Sequence, residues 1–119
     1  MKKLILAGIL KLVLISCSGR DCSELPDSFQ SYPQAVESVR KSKFSFEEKK
    51  QFRNSSWIRT ASYHSCDTET GFLLIQLKNK TYIYQGVPYN LWENFKESPS
   101  PGSFYNKKIK GRFPVEIRQ

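Results

Sequence analysis

Hydrophobic positions follow two different regimes along this chain. Residues 4–15 are almost all aliphatic, with Lys11 the charge among them, whereas from residue 18 onward apolar side chains come singly or in short periodic groups. A run of that length is too short to cross a hydrocarbon core, which takes roughly 20 apolar residues. Preceded by Lys2 and Lys3, it has the layout of a secretory signal, a basic start followed by an apolar stretch. The competing reading, a buried core helix, lacks a polar face and a cap.

Beyond this stretch the periodicity predicts discrete elements. Residues 17–30 are polar and read as a tether. Ser31 suits an N-cap and Pro33 a first helical turn. Tyr32, Ala35, Val36 and Val39 then recur at i, i+3, i+4 and i+7, which predicts a helix with those four on its inner face, ending near Ser42. Phe44 and Phe46 alternate around Ser45 as in a strand, and the charged residues 47–53 read as a solvated connection. Three strand-like runs follow. In the first, Trp57, Ala61 and Tyr63 are expected on one side and Ile58 on the other; the second, residues 72–77, suits a central strand. Lys78-Asn79 forms a two-residue turn into Thr81-Tyr82-Ile83-Tyr84, after which Gly86 breaks the pattern. Pro88 opens a helix bearing Leu91, Trp92 and Phe95. Residues 98–102 turn, and a last helix over about 103–110 carries Tyr105 and Ile109 before Pro114 forbids continuation. The sum is α+β: a small antiparallel β-meander with helices packed on one face, preceded by a cleaved signal peptide.

Composition changes this picture little. With 119 residues, 39% hydrophobic and 25% charged, the chain fits one domain. Its formal charge of +8 falls to +5 once residues 1–16 are removed, because Lys2, Lys3 and Lys11 leave with them.

The cysteines locate the protein. Leu14-Ile15-Ser16-Cys17 resembles a lipobox, in which the thiol becomes a thioether to diacylglycerol. Lys11 in the apolar stretch, a cost of about 2.5–3.5 kcal/mol on insertion scales, and the bulk of Ile15 depart from the ideal pattern. Acylation at Cys17 implies a lipid-anchored protein of the bacterial cell envelope. Ser18 in place of an aspartate favours the outer membrane or periplasmic face. Cys22 and Cys66 are left as a pair, and an exported compartment favours a disulfide between them. Two buried free thiols are the alternative. A metal site is not expected, since His64 alone could join them. No cofactor is implied.

Residues 56–113 resemble the KTSC domain, a type named for the C-terminus of some lysyl-tRNA synthetases and also found alone in bacteria. The matching residues are Ser55 or Ser56, Ile58, Tyr63, the apolar run 72–77, Tyr82-Ile83-Tyr84, Val87-Pro88, the helix 91–95, Ser100, Gly102, Tyr105-Asn106, Ile109 and Phe113. Ser98 stands where the family has a small alanine, and Lys78-Asn79 lacks the usual hairpin glycine. The resulting organisation is a signal over 1–16, a tether over 17–30, a helix–strand extension over 31–54 and a KTSC-like domain over 55–115. The resemblance implies no established activity, and RNA binding only by association.

No catalytic set is evident, and the chain is read as non-enzymatic. His64 is the sole histidine. It shares a strand face with Cys66, two residues on, so a thiol–imidazole pair is conceivable, but a bridged Cys66 is no nucleophile. Tyr82 and Tyr84 share a face, either as a platform on which bases stack or as core beneath Leu91, Trp92 and Phe95. Lys107, Lys108, Lys110 and Arg112 form the densest basic run, either an anion-binding surface or a solvated helix with a favourable charge–dipole arrangement. These six residues are the candidate ligand-binding positions. The leading expectation is an envelope-anchored binding module for an anionic ligand or an envelope protein. A nucleic-acid-binding domain is the alternative, disfavoured by export, and an envelope inhibitor or immunity-type protein is a third.

Overall fold

The computed structural model describes residues 20–118; the expected signal peptide and the acylation site Cys17 lie outside the described residues. Four strands, β1 (Phe46–Gln51), β2 (Ile58–Ser65), β3 (Thr70–Leu77) and β4 (Lys80–Pro88), form one antiparallel sheet in sequence order. Helix α1 (Tyr32–Lys41) precedes them, and α2 (Tyr89–Glu97) and α3 (Pro101–Phe104) follow. A wider π-type turn over Tyr105–Ile109 continues α3. The α+β meander is the fold the periodicity predicts.

Helices cover both sheet faces rather than one. Alternation along β3 sends Leu73 and Ile75 to one side, where they pack with Ala61, Tyr63, Val87, Trp92, Phe95, Tyr105 and Ile109. Leu74 and Ile83 face the other side and meet Phe29, Ala35, Val36, Val39 and Val115. The run 72–77 is continuously apolar because both of its faces are covered. An unbroken run requires a cover on each side, and the N-terminal helix supplies the second.

Tyr63 anchors the first core. Its ring stacks on the Trp92 indole, with centroids 5.5 Å apart and planes 8° from parallel. Its hydroxyl donates to the Val87 carbonyl at 2.8 Å, and burial pushes its pKa up to about 12.

Several local expectations fail for identifiable reasons. The charged residues read as a connection form β1, an edge strand whose even-numbered positions, Phe46, Glu48 and Lys50, turn toward the first core. Charges on an edge discourage pairing with other chains. Of the two inward charges, Glu48 accepts from the Trp92 indole N–H at 2.9 Å and from Lys96 at 2.7 Å. Ile58 lies with Ala61 and Tyr63, because an irregularity between Ile58 and Thr60 shifts the parity. Gly86 does break the alternation, as expected, though β4 continues past it. The glycine adopts φ +74° in a bulge between the Gly71 and Leu73 pairings, beyond which Val87 is fully buried. Tyr32, expected on the inner face of α1, is 55% exposed in the first turn.

The expected tether is folded down from residue 20 onward. Phe29 is fully buried, and its amide N–H donates to the Glu116 carbonyl while its own carbonyl accepts from Arg118. The Cys22 amide donates to the Lys43 carbonyl, and a Cys22–Cys66 disulfide, Cα atoms 6.0 Å apart, ties this segment to the end of β2. Such a bridge contributes about 2–4 kcal/mol in the chain-entropy account.

Because the Trp92 indole has no solvent to fall back on, Glu48→Ala should lower the unfolding free energy by about 1–3 kcal/mol in urea titrations. Glu48→Gln, which keeps an acceptor, should lose much less. Equal losses would mean that the Lys96 ion pair, not the Trp92 hydrogen bond, is what matters.

Candidate functional site

Three places collect the chemistry-bearing residues. The first is a groove of about 540 Å³ along the outer edge of β4. It is built by three segments: Tyr32 and Pro33 at the start of α1, residues 80–84 of β4, and residues 111–115 returning from the last helix. That return is set by local backbone geometry. Gly111 and Phe113 adopt φ +78° and +55°, turning the chain so that the Gln85 N–H donates to the Phe113 carbonyl at 3.0 Å. Val115 then reaches the second core.

The groove's lining is apolar and basic. Tyr32 and Tyr82, at 55% and 37% exposure, are the exposed large hydrophobics among the described residues, and both line it. Lys80 lies over the Tyr82 ring, 5.2 Å from its centroid, and Arg112 lines the same groove. No acidic residue lines the groove.

The six candidate ligand-binding residues are therefore not one site. Tyr82 and Arg112 meet in the groove. Tyr84 contributes to its floor, but its hydroxyl is hydrogen-bonded to that of Tyr105 and burial raises its pKa strongly, so it is core. Lys107 lines a separate open cavity with Asn54, Trp57 and Gly102, while Lys108 and Lys110 are exposed outside the groove. Tyr32, Pro33 and Lys80 escaped sequence reasoning. Lys80 stands just after the hairpin turn and gave no signal, and Tyr32 looked like a helix core position.

The second place is a polar cavity of about 400 Å³ on the sheet face beside α1, lined among others by Arg40, Glu47, Lys49, Ser62, His64 and Gln76. His64 pairs not with Cys66 but with Ser62, whose Oγ lies 2.9 Å from Nε2. Its Nδ1 faces Glu47 at 3.6 Å, the cross-strand neighbour, and makes no hydrogen bond. Serine, imidazole and carboxylate stand in the order of a nucleophilic relay. The arrangement lacks the rest of one: the sheet ladders on either side of β2 take up the backbone N–H groups around Ser62, leaving no paired main-chain donors for an oxyanion. Burial holds the His64 pKa below the usual imidazole value despite the opposing pull of Glu47, so the ring is neutral at pH 7.

The third place is the bridge region. Asp21 lies beside Cys22 and Cys66, but both sulfurs are committed to the disulfide and are poor candidates for a metal.

Residues 54–113 match the KTSC domain family. The chain belongs to that family. The crystal structure of a KTSC domain protein from Yersinia pestis superposes with a TM-score of 0.50 at 31% identity, and the whole of that chain aligns to 62% of this one. No curated protein matches the sequence. The KTSC family has no known catalytic role.

The KTSC residues recognised in the sequence are mostly structural. Ser55 Oγ accepts from the Ile58 N–H at 3.1 Å and orients the start of β2. Tyr63 reaches the Val87 carbonyl, and Tyr84 is hydrogen-bonded to Tyr105. Gly102 lies beneath the Trp57 indole, where a Cβ would stand 2.9 Å from the ring. The KTSC pattern thus encodes the first core and its lids.

His64 is the sole histidine, and its folded pKa lies below that of the unfolded chain. The unfolded chain therefore binds more protons in this range, and stability is full above about pH 6.5 and declines as pH falls through the folded value. Melting temperatures between pH 7.5 and 5 should show this decline in the wild type and not in His64→Gln. A decline of equal slope in both would assign it to carboxylates instead.

Proposed function

We propose that this KTSC protein is a non-enzymatic binding module of the bacterial cell envelope, held at a membrane by lipid on Cys17, whose groove beside β4 takes an anionic ligand. The observation that carries the ligand reading is the meeting of Tyr32 and Tyr82 with Lys80 and Arg112 in one groove free of acidic side chains. Exposed phenol faces next to cations suit a ligand with flat or apolar faces and negative charge, and a depression without acids raises the local concentration of anions. The lipobox and the Cys22–Cys66 disulfide support the compartment, since such bridges persist where the environment is oxidising. The nucleic-acid reading gains less. Of its two stacking tyrosines only Tyr82 is open, and three of its four basic residues stand outside the groove.

Anchoring is tested by metabolic labelling with a fatty-acid probe. Label in the wild type and none in Cys17→Ala is expected; absence of label in both would move the protein inside the cell and return nucleic acid to first place. The ligand reading is tested with polygalacturonate as an anionic probe. Binding should weaken at least about tenfold in Lys80→Glu/Arg112→Glu and fall with added salt, while Lys107→Glu/Lys108→Glu binds as the wild type. The reverse ranking would relocate the site to the last helix.

A further inference from the structure

The groove has a property that its side chains alone do not convey. β4 is an outer strand, and alternate residues of an outer strand direct their N–H and C=O groups away from the sheet. The two-residue turn fixes which ones. Leu77 and Lys80 close the hairpin, so Ile75–Tyr82 and Leu73–Tyr84 exchange ladder hydrogen bonds, and Thr81, Ile83 and Gln85 point outward. Gln85 is used, because its N–H donates to Phe113. Thr81 and Ile83 have no backbone partner beyond β3 among the described residues, and both line the groove.

The two edges of the sheet are treated differently. β1 carries Glu47, Glu48, Lys49 and Lys50 in succession, with Glu48 turned inward, a pattern that discourages strand addition. The stretch from Thr81 to Tyr84 has no charge at all, and beside it lie Pro33, Pro114 and Val115. From the turn to the Phe113 hydrogen bond the edge runs about five residues, or roughly 16 Å at ~3.3 Å per residue.

We infer that this groove takes an extended acidic segment of a partner protein, which pairs with Thr81 and Ile83 as a fifth strand on β4. The inference rests on the groove being the ligand site and names what fills it. Main-chain pairing answers the alternating donors and acceptors, which a polysaccharide has no regular means of matching. Lys80 and Arg112 flank the open stretch without any acid, so carboxylates on the incoming strand are complemented. A second copy of this chain is a poor occupant, because pairing two β4 edges would bring two Lys80–Arg112 pairs together.

The probe is a fluorescent peptide alternating glutamate and valine over eight residues, measured by polarisation on the protein as cells process it, solubilised in mild detergent. Two methylated versions accompany it, one carrying N-methyl groups on its odd amides and the other on its even amides. A strand paired on one side offers only one of those sets to β4. One methylated peptide should therefore bind at least about tenfold more weakly than the parent, and the other within about twofold. Thr81→Pro, which removes an outward N–H, should weaken the parent peptide by a similar factor. Since that substitution sits beside the hairpin turn, Lys80→Glu/Arg112→Glu serves as a second variant and should weaken it at least tenfold. Equal binding of the two methylated peptides overturns strand pairing. If polygalacturonate occupies the groove and the peptide does not bind, strand addition is wrong while the anionic-ligand reading stands. If neither binds, both fall.

Discussion

An antiparallel sheet of four strands satisfies the main chain of its two inner strands and leaves each outer strand with a row of donors and acceptors facing away. In this protein the constraint falls on β1 and β4. At β1 it is met with charge, and the same charge is drawn into the core: Glu48 accepts from the buried Trp92 indole and binds Lys96, joining the edge strand to α2. At β4 it is met with a strap. The backbone turn through Gly111 and Phe113 lays the C-terminal segment alongside, but this segment satisfies Gln85 and then departs to bury Val115 and pair Ile117 with Phe29. The groove is the part of the edge that the strap leaves uncovered.

Much of the fold was legible because local signals and global packing agree. The apolar run of β3, the turn at Lys78-Asn79 and the α2 periodicity of Trp92 and Phe95 each find their expected place. Failures occur where one residue's role depends on a distant partner. Nothing near Glu48 announces that it will meet an indole 44 residues away, so an alternating charged strand read as a loop. Ile58 was misread for a different reason. Period-two reasoning assumes an unbroken ladder, and one irregularity reverses every face assignment on its far side.

The candidate site was legible only in part. Tyr82 and Arg112 carried the expected chemistry, aromatic and basic, but residues 107–109 lie in the π-type turn and 110–112 in the bend after it, so neighbours in sequence line different surfaces. Tyr32 was missed because helical periodicity places it on the inner face of α1. In the first turn, however, it is 55% exposed and lines the groove instead of joining the second core. The Ser62–His64–Glu47 alignment was equally hidden, since it depends on β1 pairing with β2 in one register.

The groove also joins what this chain shares with its family to what lies outside the family match. Tyr63, Val87 and Tyr105 lie within the KTSC match and are committed to the core. Tyr32 and Pro33 precede that match, and Pro114 and Val115 follow it. The groove's remaining walls come from the start of the N-terminal helix and from the C-terminal strap. A KTSC domain without these additions would present β4 and Tyr82 without the opposite wall. The common domain supplies Lys80, Tyr82 and Arg112 to the groove, and the two flanking segments add Tyr32, Pro33, Pro114 and Val115 as its walls.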